Sequence, residues 1–564
     1  MKNIRITIFL LFLLIGALLA LGGRCFFLQY FKRDHYRSVS IKQQQKRITE
    51  KPQRGVILDR RGRRLAASNK IQTIFADPLI IKEPKEVSNR LQPILGMGAH
   101  KICRLITEAR NRRFVKLKVG ADPNQCSEAR RIYGIGVQSG WQRHYPMGPL
   151  TAHVVGFTSA DNRGLAGIEL VCEEKLRGSA GQHIFFADAF RRSIQLKEQN
   201  SVVHDGASVI LTLDATIQQF ARSALLQQYR EFQAESAVAI VTEPGTGAIL
   251  AMVSLPDFDP NDIGSEDPNN FRNRATTDQF EPGSIIKPII AAIALDEGVV
   301  NTHEKIFCEN GSYYGKGFGR IGEYRQGFGD LTVREILVNS SNIGMAKIGQ
   351  RLGKKRLHAG LKRFGFGAES GINLPGDAPG LVWPMNKWTG YSVTRIPFGQ
   401  EITVTPIQLV RAFCVLANGG YSVRPFLIRA IVDNDGNIIK LTKPPPPVGV
   451  VVSPEVAQWI VTEAMTGVVN EGTGKRAKLE KWQVFGKTGT ANIALEEARG
   501  YSEDNYIASF VAGAPAAKPR VVVLVSIRKP NKGLGKGYTG GAVASPVAAR
   551  IIEKTLNYLE KTER

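Results

Sequence analysis

Residues Ile6 to Gly23, ITIFLLFLLIGALLALGG, contain no charged side chain. An uncharged apolar run of this length is about what a helix needs to cross a bilayer, because lipid offers the backbone no other partners. Lys2 and Arg5 precede it, and positive charge on that side favours keeping the N-terminus in the cytoplasm. The rest of the chain is then expected to fold outside. Ala20 and Gly22 also suit a cleaved signal sequence, but the apolar character continues past Arg24 into Cys25–Phe31, which favours an uncleaved anchor. Arg24 stands where lipidation of Cys25 would want a small residue.

The whole chain has 564 residues, long enough for two or three domains. A hydrophobic share of 43% and a charged share of 22% are those of a folded globular protein. The net charge of +25 predicts attraction to something anionic, although composition alone favours a merely basic solvated surface. The basic residues are scattered, with no helix-turn-helix or zinc-finger spacing, so nucleic acid is not an expected partner. The six cysteines, at 25, 103, 126, 172, 308 and 414, form no Cys-x-x-Cys pair and no disulfide framework. Most of them read as small buried apolar residues.

Three segments are expected: an anchor at 1–30, a spacer or docking domain at 31–205, and a larger domain at 206–564. In the spacer, Arg54–Ser68 reads as two strands around an Asp-Arg-Arg-Gly turn. The Gly-punctuated block at residues 143–170 carries no cluster suited to chemistry. In the larger domain Asp214 caps a helix with Ile217, Phe220, Ala221, Ala224 and Leu225 on one face. Residues 236–256 read as a hairpin turned at Pro-Gly-Thr-Gly, and 506–529 as another turned at Ala517-Lys518-Pro519. A closing helix is capped by Ser545 and buries Val547, Ile551, Ile552, Leu556 and Leu559. The two apolar hairpins are expected to share one antiparallel sheet with helices on its faces, an α+β arrangement. The proline run at 443–449 reads as a stiff surface connector.

Gly486-Lys487-Thr488 resembles the end of a phosphate loop, but the loop also needs glycine at 481, and that residue is Lys481. A Ser-His-Asp triad or a zinc hydrolase is poorly supported as well. Of eight histidines only His303 and His358 fall in the larger domain, neither in a catalytic or metal-binding pattern. Lysine can serve as the base instead. Ser284 and Lys287, three apart at the start of an apolar helix after Pro282-Gly283, share a face. Burial would depress the lysine pKa, and a neutral amine could take the proton of Ser284. The helix N-terminus offers free N–H groups to an oxyanion.

A lone Ser-x-x-Lys is weak, and the chain has a second at Ser526–Lys529. Only Ser284 is followed in order by Ser340-Ser341-Asn342 and Lys487-Thr488-Gly489. Ser340 could relay a proton between Lys287 and a leaving amine, and Asn342 could hold a substrate amide and orient Lys287. Lys487 would lower the Lys287 pKa further and attract a carboxylate, which Thr488 and Thr490 could bind. Gly489 would let an extended substrate approach the strand edge. In isolation Ser340 and Asn342 could each be a polar helix cap. The ordered trio is that of class A β-lactamases and penicillin-binding proteins.

With RGVILDRRGRRLAAS, GLAGIEL, GAILAMVSLPDFDPN, VTPIQLVRAF, VVNEGTGKRA and GGAVASPVAARI beside the trio, nearly the whole chain resembles a class B penicillin-binding protein. The resemblance implies an elongated N-terminal pedestal of the dimerisation type, then a penicillin-binding, serine β-lactamase-like transpeptidase domain. It implies a peptidoglycan D,D-transpeptidase acting through a Ser284 acyl-enzyme, with the oxyanion between the N–H groups of Ser284 and Thr490. It implies no metal or organic cofactor, stem peptides as substrate and β-lactams as inhibitors. It also implies a single pass through the inner membrane with the catalytic domain in the periplasm. Anionic wall polymers, lipid head groups and acidic proteins become partners for the basic surface. Asn342, where elongation relatives often carry Asp, resembles the division-specific FtsI type. That type pairs with a SEDS-type glycosyltransferase and divisome proteins. An elongation transpeptidase, a membrane-anchored β-lactamase and a non-catalytic divisome scaffold are the alternatives.

Overall fold

The computed structural model describes residues 2–187, 193–315, 317–324, 326–443, 449–494 and 500–562. Most of the expected proline connector, residues 444–448, lies outside them. The chain divides into two compact units: Met1–Gln53 with Gly178–Asp205, and Arg54–Arg177 with Gly206–Arg564.

The first unit begins with helix α1 (Lys2–Tyr30), 29 residues long and therefore about 43 Å. Its apolar window has a mean hydropathy of 2.7 and no part of it is buried within the chain. This is the one helix among the described residues long and apolar enough to span a membrane. A helix at Arg33–Gln44 follows. A three-stranded antiparallel sheet then pairs Gln45–Glu50 with Gly181–Ala187, and that strand with Ser193–Ser201.

In the second unit a seven-stranded sheet is woven from distant parts of the sequence. Arg64–Ala76 pairs with Val115–Val119 and Ile135–His144, as well as with Ile57–Leu58 across the expected Asp-Arg-Arg-Gly turn. Ile57–Leu58 then runs parallel to Ser208–Leu211, which pairs with Ile428–Val432. Much of the Gly-punctuated block forms short helices. It brings Glu169 between Arg54 and Arg143 at 2.6 Å each, with Arg54 also 2.6 Å from Glu173. These charges are nearly all removed from water, a burial tolerable only because each is paired.

Residues that follow two neighbouring strands of this sheet meet at Asp214. Its side chain accepts from the Thr216 amide and caps α2 (Ala215–Glu231). Arg61 and Arg63 reach it at 3.0 and 2.6 Å. Ile217, Ala221, Ala224 and Leu225 are buried as expected, whereas Phe220 is half-buried against the Tyr558 ring.

After α2 come β1 (Ser236–Glu243), β2 (Ala248–Leu255), α3 (Lys287–Asp296), α4 (Val333–Asn339) and α5 (Asn342–Arg363). The chain finishes with β3 (Phe485–Ala494), β4 (Tyr501–Ala514), β5 (Val521–Arg528) and α6 (Ser545–Thr562). The two expected hairpins do share one antiparallel sheet, in the order β2-β1-β5-β4-β3. Its inner strands are buried on both faces, which is why they read as continuous apolar runs. One core packs α3 and the helix Pro406–Ala417 against the sheet, and a second packs α2 and α6. The α6 stripe is buried as predicted, but Ser545 does not cap the helix. It is the first helical residue and donates to the Gly541 carbonyl.

Candidate active site

Ser284 sits in a single 3-10 turn, Gly283–Ile286, that runs straight into α3 at Lys287. Gly283 has φ +54°, a conformation that side chains rarely adopt, and it lets the chain turn sharply into the helix. Pro288 falls in the first helical turn, where its missing N–H costs nothing. The apolar run from Ile289 to Ala294 is wholly buried and seats the helix in the core. Ser284 therefore lies at the surface end of a rigid element and lines a cleft of about 210 Å³.

Ser340 and Asn342 stand at the joint between α4 and α5; Ser340 is the C-cap of α4, its backbone N–H donating to Ile336 O, and neither side chain caps the start of α5. Ser341 takes that task, its hydroxyl accepting from the Gly344 amide. Ser340 ends α4 in the left-handed region at φ +60°, which turns its side chain and carbonyl toward Lys287. The Lys287 ammonium donates to Ser340 O at 2.6 Å, to Asn342 Oδ1 at 2.8 Å and to Ser340 Oγ at 3.2 Å. Three acceptors match its three N–H groups.

Lys487 lies on β3, so Gly486-Lys487-Thr488 belongs to a strand and not to a phosphate loop. Its Nζ donates to Ser340 Oγ at 3.0 Å and to Thr488 O at 3.2 Å. The Ser340 hydroxyl is thus held by both lysines. Each lysine is 0% exposed. Burial lowers the Lys287 pKa to about 7, with Glu323 opposing the shift. Burial, and then repulsion from Lys287, hold Lys487 well below the ordinary lysine value. The repulsion between the two buried amines acts on both, and each is held below the ordinary lysine value. Ser340 Oγ lies between the two amines, so the protonation of one is coupled to that of the other.

Thr488 and Thr490 line the cleft, with Thr488 Oγ1 2.6 Å from Thr473 Oγ1 and Thr490 Oγ1 accepting from the Gly540 amide at 3.2 Å. Gly489 also has a packing task. A Cβ there would lie 2.7 Å from Ile285 Cγ1 and 3.1 Å from its Cδ1. The missing side chain lets β3 press against the turn that carries Ser284.

Five of the expected residues therefore converge from three separated motifs, and the threonines form the far wall. No hydrogen bond joins Ser284 to Lys287 or Ser340 among the described residues. Ser526 of the second Ser-x-x-Lys is elsewhere, buried in β5 against Ser509 Oγ at 3.0 Å. His303 and His358 do not line the cleft. No group of three or more metal-binding side chains occurs among the described residues.

The sequence reasoning missed Glu323, Tyr324, Thr473 and Glu281, all of which line the cleft. Glu323 and Tyr324 follow the hairpin of Ser312–Gly315 and Gly319–Gly322, a glycine-rich stretch with no motif to mark them. Tyr324 reaches Tyr538 with the two hydroxyls 2.8 Å apart. Glu281, three residues before Ser284, accepts from the Glu401 amide at 2.9 Å, and burial raises its pKa.

Residues 237–553 match the penicillin binding protein transpeptidase domain family, and residues 49–211 match the penicillin-binding protein dimerisation domain family. Stage V sporulation protein D of Bacillus subtilis is 32% identical over 98% of this chain and 86% of its own length. Peptidoglycan D,D-transpeptidase FtsI of Escherichia coli K12 is 30% identical over 88% of this chain and 82% of its own. Among solved structures, penicillin binding protein 3 of Mycobacterium tuberculosis complexed with aztreonam superposes with a TM-score of 0.71 at 26% identity. That match covers 91% of this chain and 97% of the other.

Proposed function

The chain belongs to the class B penicillin-binding proteins, serine D,D-transpeptidases of peptidoglycan, and from that premise we propose that Ser284 is its nucleophile and that it works at the division septum. One observation carries the assignment: Lys287, Ser340, Asn342 and Lys487 arrive from three motifs and close into one hydrogen-bonded set beside Ser284.

The chemistry follows from that set. Neutral Lys287 accepts the Ser284 proton as Ser284 Oγ attacks the carbonyl of the penultimate D-alanine of a stem peptide. The proton passes through Ser340 to the departing D-alanine amine, and an acyl-enzyme remains. An amine of a neighbouring stem then attacks the ester carbonyl, gives its proton back along the same path and releases Ser284. The backbone N–H groups of Ser284 and Thr490 stabilise the oxyanion. Lys487, Thr488 and Thr490 receive the terminal carboxylate, whose negative charge makes protonation of Lys487 favourable again. A β-lactam carries the same carboxylate and a strained amide, and it stops at the acyl-enzyme.

The domain division that goes with this reading is an anchor at 1–30, a pedestal at 31–205 and the transpeptidase domain at 206–564. α1 fits a single-pass anchor with the catalytic domain outside, in the inner membrane of a cell with a periplasm. The septal role is supported by the FtsI relative and by Asn342, and it implies divisome proteins and a SEDS-type glycosyltransferase as partners.

Labelling with a fluorescent penicillin tests the nucleophile. Ser284→Ala should abolish the label and Ser526→Ala should leave it; the reverse result overturns the site. Depletion with a Ser284→Ala copy as sole replacement tests the role. Filaments without septa are expected, swollen round cells would point to elongation, and normal growth would make the serine dispensable.

A further inference from the structure

The Ser340–Asn342 corner is held from outside the three motifs. Glu323 Oε1 accepts from Ser341 Oγ at 2.5 Å and from the Ile343 amide at 3.2 Å, and its Oε2 accepts from the Asn342 amide at 2.8 Å. The carboxylate therefore sits on the free N–H groups that begin α5, where the helix dipole favours a negative charge. The neighbouring Gly322 carbonyl takes the Asn342 side-chain N–H at 3.1 Å. Asn342 is thus fixed by its backbone and its amide from one short segment, and its Oδ1 is left aimed at Lys287. Glu323 also lines the cleft itself.

We propose that Glu323 is a positioning residue of acyl transfer: it holds the Ser340–Asn342 corner against Lys287 and supplies the negative charge facing that buried amine. The proposal rests on the reading of Lys287 as the base that activates Ser284. Two charged groups face Lys287, Glu323 from the hairpin and Lys487 from β3, and they act in opposite senses. Lys287 in turn faces Glu323, as does the Cys308 thiol behind Ser341, with Lys347 acting on that thiol. Glu323 favours the Lys287 ammonium, so it keeps Lys287 able to carry a proton at a depth where burial alone would strip it. A base that must first accept a proton and then return it needs a pKa near the working pH.

The test is the rate of Ser284 acylation by a penicillin, followed from pH 5 to 10 in the full-length chain in detergent. In the parent protein the rate should rise through about pH 7 as Lys287 loses its proton. Glu323→Gln keeps an acceptor oxygen but loses the charge. Its rise should move to lower pH by about one unit, with the plateau within about tenfold of the parent. Glu323→Ala should also lower the plateau, by tenfold or more, because nothing then holds Asn342. A rise that stays at the parental pH in Glu323→Gln overturns the proposal, whatever the plateau does. If Glu323→Ala fails to fold, Glu323→Gln decides alone. A parent chain that is not acylated at any pH overturns the reading of the site and the proposal together, whereas a normally acylated parent with an unmoved variant sinks the proposal only.

Discussion

Ser340 is where the two buried lysines meet, and its backbone departs from the ordinary helical range to let them do so. A left-handed conformation costs a non-glycine residue about 1–2 kcal/mol, so serine at φ +60° is held there against its own preference. Glycine would relieve that strain at some cost in chain entropy, and it would leave Lys287 and Lys487 without their shared hydroxyl. Ser340→Gly is therefore expected to unfold at the same temperature or slightly higher, with stability unchanged or raised by about 1 kcal/mol. Acylation by a penicillin should nonetheless fall about a hundredfold or more, the usual size of a lost proton-transfer group. Calorimetry and acylation kinetics on one preparation check this. A variant both less stable and fully active would show that Ser340 is kept for structure.

At the scale of elements, the site depends on how an edge strand meets a helix start. β3 touches the Ser284 turn through Gly489, and the contact is too close for even a methyl group. Gly489→Ala should push β3 and the turn apart, at a cost of about 1–3 kcal/mol, the range for overpacking a tight interior. Lys487 is two residues from Gly489 on the same strand, so its bond to Ser340 should loosen as well. The expected readout is a lower unfolding midpoint together with slower acylation; unchanged values of both would show that the strand has room to spare. The joint between α4 and α5 is the second such contact. Because Ser341 and Glu323 look after the start of α5, Ser340 and Asn342 on either side are left free for chemistry.

At the scale of the second unit, Asp214 ties early strands to the transpeptidase core. It accepts from Arg61, Arg63 and the Thr216 amide, with the Tyr558 hydroxyl beside it on α6. Burial works to raise its pKa, but the hydrogen bonds from Arg61, Thr216 and Arg63 outweigh burial and leave the pKa below the usual carboxylate value. A depressed folded pKa means stability that is present above the unfolded value of about 4 and lost as pH falls below it. Asp214→Asn should cost about 3 kcal/mol at neutral pH, at the low end for a broken buried pair because Arg61 and Arg63 are each 35% exposed. It should also flatten the loss of thermal stability between about pH 5 and 3. An Asn variant with the parental acid profile would remove Asp214 from the joint.

Much of this protein is legible in its sequence because the relevant physics is local. An apolar run long enough for a bilayer needs no tertiary partner to be recognised, and neither do runs such as SAVAIVTE and VVVLVSIR, whose continuous apolarity reports a strand buried on both faces. The three motifs proposed to be catalytic are also readable, since each is short and their order is distinctive. Tertiary structure alone decided which residue does what within them. The contact of Gly489 with Ile285 could not be read from the motif, because only the packed sheet brings that side chain to 2.7 Å from where a Cβ would stand. The two lysines interact through a hydroxyl contributed by a third element, and both are lowered because the fold buries both. Glu323 carries no sequence signature, since its importance lies in standing at the start of a helix that comes later in the chain. A motif records which groups are present; distance and burial, which set their pKa values and their hydrogen bonds, come only from the way the chain folds back on itself.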